Sequence, residues 1–124
     1  MTRPVERSEA SIEAAIVKRL EKYGCRALKF NSAGRRAVPD RMVLMRNGLV
    51  FFLEIKRPGQ RSTPLQRVEQ QKLECPWGYY VAEVHSTEEA VQAFHEARKH
   101  YARFYADNPT YLTRPMPLSE YEVA

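Results

Sequence analysis

The dipeptide Asn47-Gly48, set between two apolar-rich runs, narrows the possible folds of this chain more than any other feature. Asparagine followed by glycine readily takes the positive φ values of a tight hairpin turn, so Arg41 to Met45 and Leu49 to Lys56 read as paired antiparallel strands. Pro58-Gly59 ends the second of them. Side chains alternate along a strand, so Glu54 and Lys56 share one face while Ile55 points the other way, into a core. An acid and a base held side by side on a rigid strand suit a metal ligand and a proton-handling lysine.

The register of that hairpin decides whether Asp40 joins them. A two-residue turn pairs Arg46 with Leu49 and sends Asp40 to the wrong face. A three-residue loop, Arg46-Asn47-Gly48 with a left-handed Gly48, pairs Met45 with Leu49 and sets Asp40 across from Glu54. Their Cβ atoms then lie about 5 Å apart in an ideal ladder. Two carboxylates that close repel unless a divalent cation sits between them. The bulged register, or an equivalent distortion at Asp40, is therefore the expected one.

The flanking segments place helices around this hairpin. Ser8 caps a helix from about Glu9 to Tyr23, closed by Gly24, with Ile12, Ile16, Val17 and Leu20 at helical spacing. Glu13 falls inside that apolar arc, and a core-facing carboxylate needs a partner, either a metal or Lys56. Arg26 to Phe30 reads as a strand, followed by a loop from Asn31 to Val38. Thr63-Pro64-Leu65-Gln66 opens a helix to about Glu74, where Gln66 either closes a capping box or reaches toward Glu54 and Lys56. Pro76 to Gly78 is a turn and Tyr79 to Val84 a strand. Ser86-Thr87-Glu88-Glu89 resembles a capping box for a helix reaching about Tyr105. The order α-β-β-β-α-β-α describes an α/β domain around one mixed sheet, over residues 1–105. The tail over 106–124, with Tyr111, Leu112, Leu118 and Tyr121, packs on the domain, reaches a second subunit or is mobile; its sequence does not choose.

Length and charge bound the function. A chain of 124 residues makes one domain. No apolar run approaches the roughly 20 residues of a membrane span, and the N-terminus lacks a secretory stretch, so a cytoplasmic location in a bacterial or phage-infected cell is expected. Cys25 and Cys75 have no CxxC partner and read as buried thiols. The three histidines lack zinc-site spacing and none lies near the acidic motifs in sequence, so any metal is expected on oxygen, as Mg²⁺ or Mn²⁺ with no organic cofactor. A net charge of +5 favours a polyanionic partner without establishing one.

The ordered motifs resemble the VRR-NUC (virus-type replication-repair nuclease) family of the PD-(D/E)xK nuclease superfamily. The resemblance covers roughly Ser11 to Phe94. It is carried by Ile12-Glu13, Lys29-Phe30, Val38-Pro39-Asp40-Arg41, Phe52-Leu53-Glu54-Ile55-Lys56, Pro58-Gly59 and Pro64-Leu65-Gln66. It implies a restriction-endonuclease-like core, with Glu13, Asp40, Glu54 and the Ile55 carbonyl as metal ligands, Lys56 acting on the attacking water, and Gln66 in support. It implies phosphodiester hydrolysis aided by Mg²⁺ or Mn²⁺, leaving 5′-phosphate and 3′-hydroxyl ends. One position departs from the family pattern: glycine usually precedes Val-Pro-Asp, and Ala37 stands there.

Arg35, Arg36, Arg57, Arg61 and Arg67 flank the motifs and are candidates for holding backbone phosphates, which reads nucleic-acid shape rather than sequence. Stand-alone family members resemble dimeric resolvases of four-way DNA junctions, and a two-fold homodimer matches a symmetric junction. A nicking or flap endonuclease is the alternative within enzymology. A catalytically silent DNA-binding module gains nothing from carboxylates facing phosphate. A toxin-like ribonuclease normally favours a general-acid histidine.

Overall fold

The computed structural model describes residues 8–31 and 37–107. Helix α1 (Glu9–Glu21) starts where Ser8 accepts a hydrogen bond from the Ser11 amide at 3.1 Å, satisfying one of the free N–H groups of the first turn. Strands β1 (Arg26–Lys29), β2 (Arg41–Leu44) and β3 (Val50–Ile55) follow, then helix α2 (Pro64–Glu74), strand β4 (Tyr80–Val84) and helix α3 (Thr87–Asp107). The sheet runs β1-β2-β3-β4, antiparallel in its first two pairings and parallel in the last, with α2 as the crossover. The mixed sheet flanked by helices agrees with the expected architecture. Helix α3 runs two residues past the expected boundary at 105, and the tail from 108 onward lies outside the described residues.

The two faces of β3 divide the molecule. Phe51, Leu53 and Ile55, all fully buried, join Ile12, Ile16 and Leu20 of α1 and Ala90, Ala93 and Ala97 of α3 in the core. Small residues on α3 let it approach the sheet closely, while the branched residues of α1 fill the remaining volume. Phe52 and Glu54 point to the opposite face, toward α2. Phe52 packs there between Phe30 (centroids 5.3 Å apart) and Tyr79 (5.4 Å, edge-on).

The hairpin takes the bulged register. Arg41 pairs with Leu53 and Leu44 with Val50, and the Met45 amide donates to the Leu49 carbonyl at 2.8 Å. Arg46–Gly48 form one 3₁₀ turn that ends on Gly48 at φ 77°, a left-handed conformation in which a Cβ would be strained. Carrying the ladder one rung further sets Asp40 opposite Glu54, as the sequence requires.

Two local expectations need correction. Cys75 is exposed rather than buried, because it ends α2 at the turn leading to β4. At the start of α3 the Glu89 amide donates to Ser86 Oγ, but the Glu89 carboxylate turns to His85 at 3.1 Å instead of closing a capping box.

Candidate active site

Glu54 is the centre of the α2-facing side of the sheet, and its side chain is 2% exposed. Its two oxygens have unequal surroundings. Oε1 accepts from Gln66 Nε2 at 3.1 Å and lies 3.6 Å from Lys56 Nζ. Oε2 is buried and has no hydrogen-bond partner. A buried carboxylate oxygen in that position is costly when charged, since it has lost water. Burial pushes the Glu54 carboxyl up to about 8; the Asp40 carboxylate adds to the rise and Lys56 opposes it.

Asp40 stands beside it. Its Oδ2 accepts from the Ile55 amide at 2.7 Å, and its carbonyl accepts from the Phe30 amide at 3.0 Å. The side chain is thus fixed to the backbone rung between Glu54 and Lys56. Ile55 presents its backbone to this site and its side chain to the core. Lys56 lies just past the end of β3, yet its amide donates to the Val84 carbonyl at 3.0 Å, which extends the parallel ladder and fixes the root of the lysine.

Gln66 performs both of its alternative roles at once. Its Oε1 accepts from the Thr63 amide at 2.8 Å while Thr63 Oγ1 accepts from the Gln66 amide at 3.2 Å, a complete capping box. With the amide oxygen committed to the cap, the NH₂ group is left facing Glu54.

Glu13, expected at a metal or at Lys56, meets Arg41: its Oε1 accepts from Arg41 Nε at 2.7 Å, and Arg41 Nη1 also donates to the Ala27 carbonyl at 3.3 Å. The reason is alternation along β2. Asp40 faces α2, so Arg41, paired with Leu53, faces the α1 side and meets Glu13 there. Among the described residues no group of three or more His, Cys, Asp or Glu side chains is placed to hold a metal. Arg41 is the residue the motif reading passed over, and alternation along β2 was the available signal.

His85 was also missed. It is 25 residues from Gln60 in sequence, yet its Nε2 donates to the Gln60 carbonyl at 2.8 Å and its Nδ1 meets Glu89 at 3.1 Å. Both ring nitrogens face acceptors. Burial disfavours the charged ring, but the bonds to Glu89 and Gln60 and the nearby Glu89 and Glu83 charges outweigh it and raise its pKa. Glu83 accepts from the Ser62 amide, so β4 and α3 together brace the segment between Lys56 and α2. Arg57, Arg61 and Arg67 are exposed on or beside that segment, whereas Arg35 and Arg36 lie outside the described residues. Ala37 is held at φ 68°, the left-handed region that glycine takes without strain.

The donors fit a hard divalent cation. A buried partnerless carboxylate oxygen, a second carboxylate on the facing strand and an adjacent backbone carbonyl are oxygen ligands. Mg²⁺ commonly takes only one or two carboxylates and fills its remaining positions with water and substrate phosphate.

No family model matches this chain. Over 65 residues it is 48% identical to "Putative nuclease p44" of Acyrthosiphon pisum secondary endosymbiont phage 1, across 52% of this chain and 70% of that relative. A solved structure described as a VRR_NUC domain has a similar fold, with a TM-score of 0.64 at 24% identity, covering 70% of this chain and 94% of the other.

Proposed function

This chain belongs to the VRR-NUC family of nucleases, and from that premise we propose that it is a Mg²⁺- or Mn²⁺-dependent, structure-specific DNA endonuclease that resolves four-way junctions as a homodimer. The observation that carries the metal-dependent reading is Glu54 Oε2, buried and without a partner across the rung from Asp40. Asp40, Glu54 and the Ile55 carbonyl would hold the cation. When bound, it supplies Lewis acidity toward the phosphate and lowers the pKa of nearby water.

The chain's own residues do the rest. Lys56 Nζ, beside Glu54 on the same face, orients the attacking water by donating to it. Gln66 holds the Glu54 carboxylate in one orientation, which leaves Oε2 for the cation. Asp40 is kept in line by the Ile55 amide. Arg57, Arg61 and Arg67 hold backbone phosphates. Glu13 remains with Arg41 and ties α1 to the strand that carries Asp40.

The junction reading draws on the family resemblance of the motifs and on the net charge of +5. The test is cleavage of labelled four-way junction, flap and linear duplex DNA with Mg²⁺ or Mn²⁺, beside light scattering of the free protein. Paired symmetric nicks in the junction by a dimer are expected. Cutting confined to flaps or single nicks would replace the resolvase with the flap or nicking reading. No metal-dependent cutting of any substrate would remove the enzyme.

A further inference from the structure

Trp77, the single tryptophan of the chain, is 72% exposed. That is an unusual place for so large an apolar side chain. It does not stand on a loose loop. The Gly78 amide donates to the Glu74 carbonyl at 2.9 Å, the Tyr79 amide to the Leu73 carbonyl at 3.1 Å, and His100 Nε2 to the Gly78 carbonyl at 2.9 Å. Three bonds around one turn fix the backbone that carries the indole, which lowers the cost of ordering it against a partner.

Trp77 lines a cavity of about 100 Å³ with Phe30, Pro39 and Leu73, and with the polar side chains of Glu69 and Lys72, which pair at 3.3 Å. The cavity adjoins the candidate cation site through the backbone, because Pro39 directly precedes Asp40. It also adjoins it through an aromatic row: Phe30 packs on Phe52, and Phe52 shares a strand face with Glu54. A purely apolar anchor from a protein partner has no use for a carboxylate and an ammonium in the wall. A nucleobase has flat apolar faces and a polar edge, and uses both.

We propose that this cavity accepts an unpaired nucleobase of the strand being cut, stacked on Trp77 with its polar edge toward Glu69 and Lys72. The proposal rests on the nuclease reading and deepens it, since a base inside an intact duplex is stacked on its neighbours and cannot enter. The favoured substrates then carry an unpaired nucleotide beside the scissile phosphate, at a branch point, a flap or a frayed end.

The single tryptophan makes the test direct. The full chain in EDTA, where no cutting occurs, is titrated with a blunt duplex and with the same duplex bearing a short single-stranded flap. Binding is followed separately by anisotropy of an end-labelled strand. Tryptophan emission is expected to fall with the flap DNA and to stay unchanged with the bound duplex. In Mg²⁺, Trp77→Ala is expected to lower the ratio of flap to duplex cleavage about tenfold, within the range for loss of one stacked base. Trp77→Phe should keep most of that ratio. Unchanged emission with flap DNA bound, no binding of flap DNA, or an unaltered cleavage ratio in a folded Trp77→Ala protein overturns the proposal. So does an emission change that follows protein concentration without DNA, which would assign the surface to a second copy of this chain. If wild type cuts nothing, the nuclease reading fails, while the emission titration still decides the cavity.

Discussion

Gln66 donates its side-chain N–H to Glu54 Oε1 at 3.1 Å with the same amide whose oxygen caps α2 on the Thr63 amide. One residue therefore caps the start of a helix and aims a candidate metal ligand. Because the cap fixes which end of the amide is oxygen, helix formation itself dictates that a donor faces Glu54.

Separating the two roles is a matter of two substitutions. Gln66→Ala should lose about 1 kcal/mol of stability through the cap, and lower activity by about 10- to 100-fold through the misoriented Glu54. Gln66→Glu keeps an oxygen for the Thr63 amide but turns a second carboxylate toward Glu54. Its stability should fall less than that of Gln66→Ala at neutral pH, with activity still reduced. Denaturant unfolding beside cleavage rates checks both, and full activity in Gln66→Ala would reduce Gln66 to a cap.

Stability of the metal-free protein should depend on pH through Glu54. Its carboxyl sits at about 8 in the folded chain against an ordinary 4.5, so between those values the folded state keeps a proton that the unfolded chain has released. The contribution is complete below about 4.5 and is lost as pH rises through about 8, on the order of a few kcal/mol. His85, also raised, loses its contribution above its ordinary 6.5 in the same sense, so the comparison must be with Glu54→Gln. Unfolding in EDTA across this range should show a shallower slope in Glu54→Gln, and Mg²⁺ should flatten the wild-type slope. Identical slopes for the two proteins in EDTA would mean that Glu54 is not held protonated.

Ala37, at φ 68°, carries left-handed backbone strain immediately before Val38-Pro39-Asp40. Ala37→Gly should therefore raise stability by about 1 kcal/mol, the strain relieved less the extra freedom of glycine in the unfolded chain. A rise in thermal midpoint checks it, and a fall would show that the loop holds this conformation without cost.

The half-buried Glu13–Arg41 pair should couple measurably. Each single substitution, Glu13→Gln or Arg41→Met, should cost about 1–3 kcal/mol by leaving its partner without its counter-charge, and the double variant should cost less than their sum. Additive losses in the double-mutant cycle would mean that the pair contributes nothing as a pair.

Much of this was legible because the signals are local. Ser8, Thr63-Pro64-Leu65-Gln66 and Asn47-Gly48 each act within four residues, so helix starts and the hairpin itself follow from short-range chemistry, while its register is chosen by the pairing of Asp40 with Glu54. Alternation then puts Glu54 and Lys56 on one face without further information. What stayed hidden depends on packing between distant segments. Arg41 reaches Glu13 across 28 residues, and His85 reaches Gln60 across 25. The double use of Gln66 needs α2 to lie over β3, which no spacing within either element specifies. Trp77 reads as one more apolar residue in a turn until the fold leaves it in solvent beside a cavity.

Glu54, with Asp40 and Lys56, is proposed to form a divalent-cation centre that cuts DNA. Its most direct test is the Mg²⁺-dependent rate at which Glu54→Gln and wild type cleave the best substrate of the junction, flap and duplex set. Glu54→Gln keeps the shape and the Gln66 contact but removes the anionic ligand. A folded protein with a rate at least about 100-fold lower than wild type is expected. Equal rates for the two proteins would contradict it.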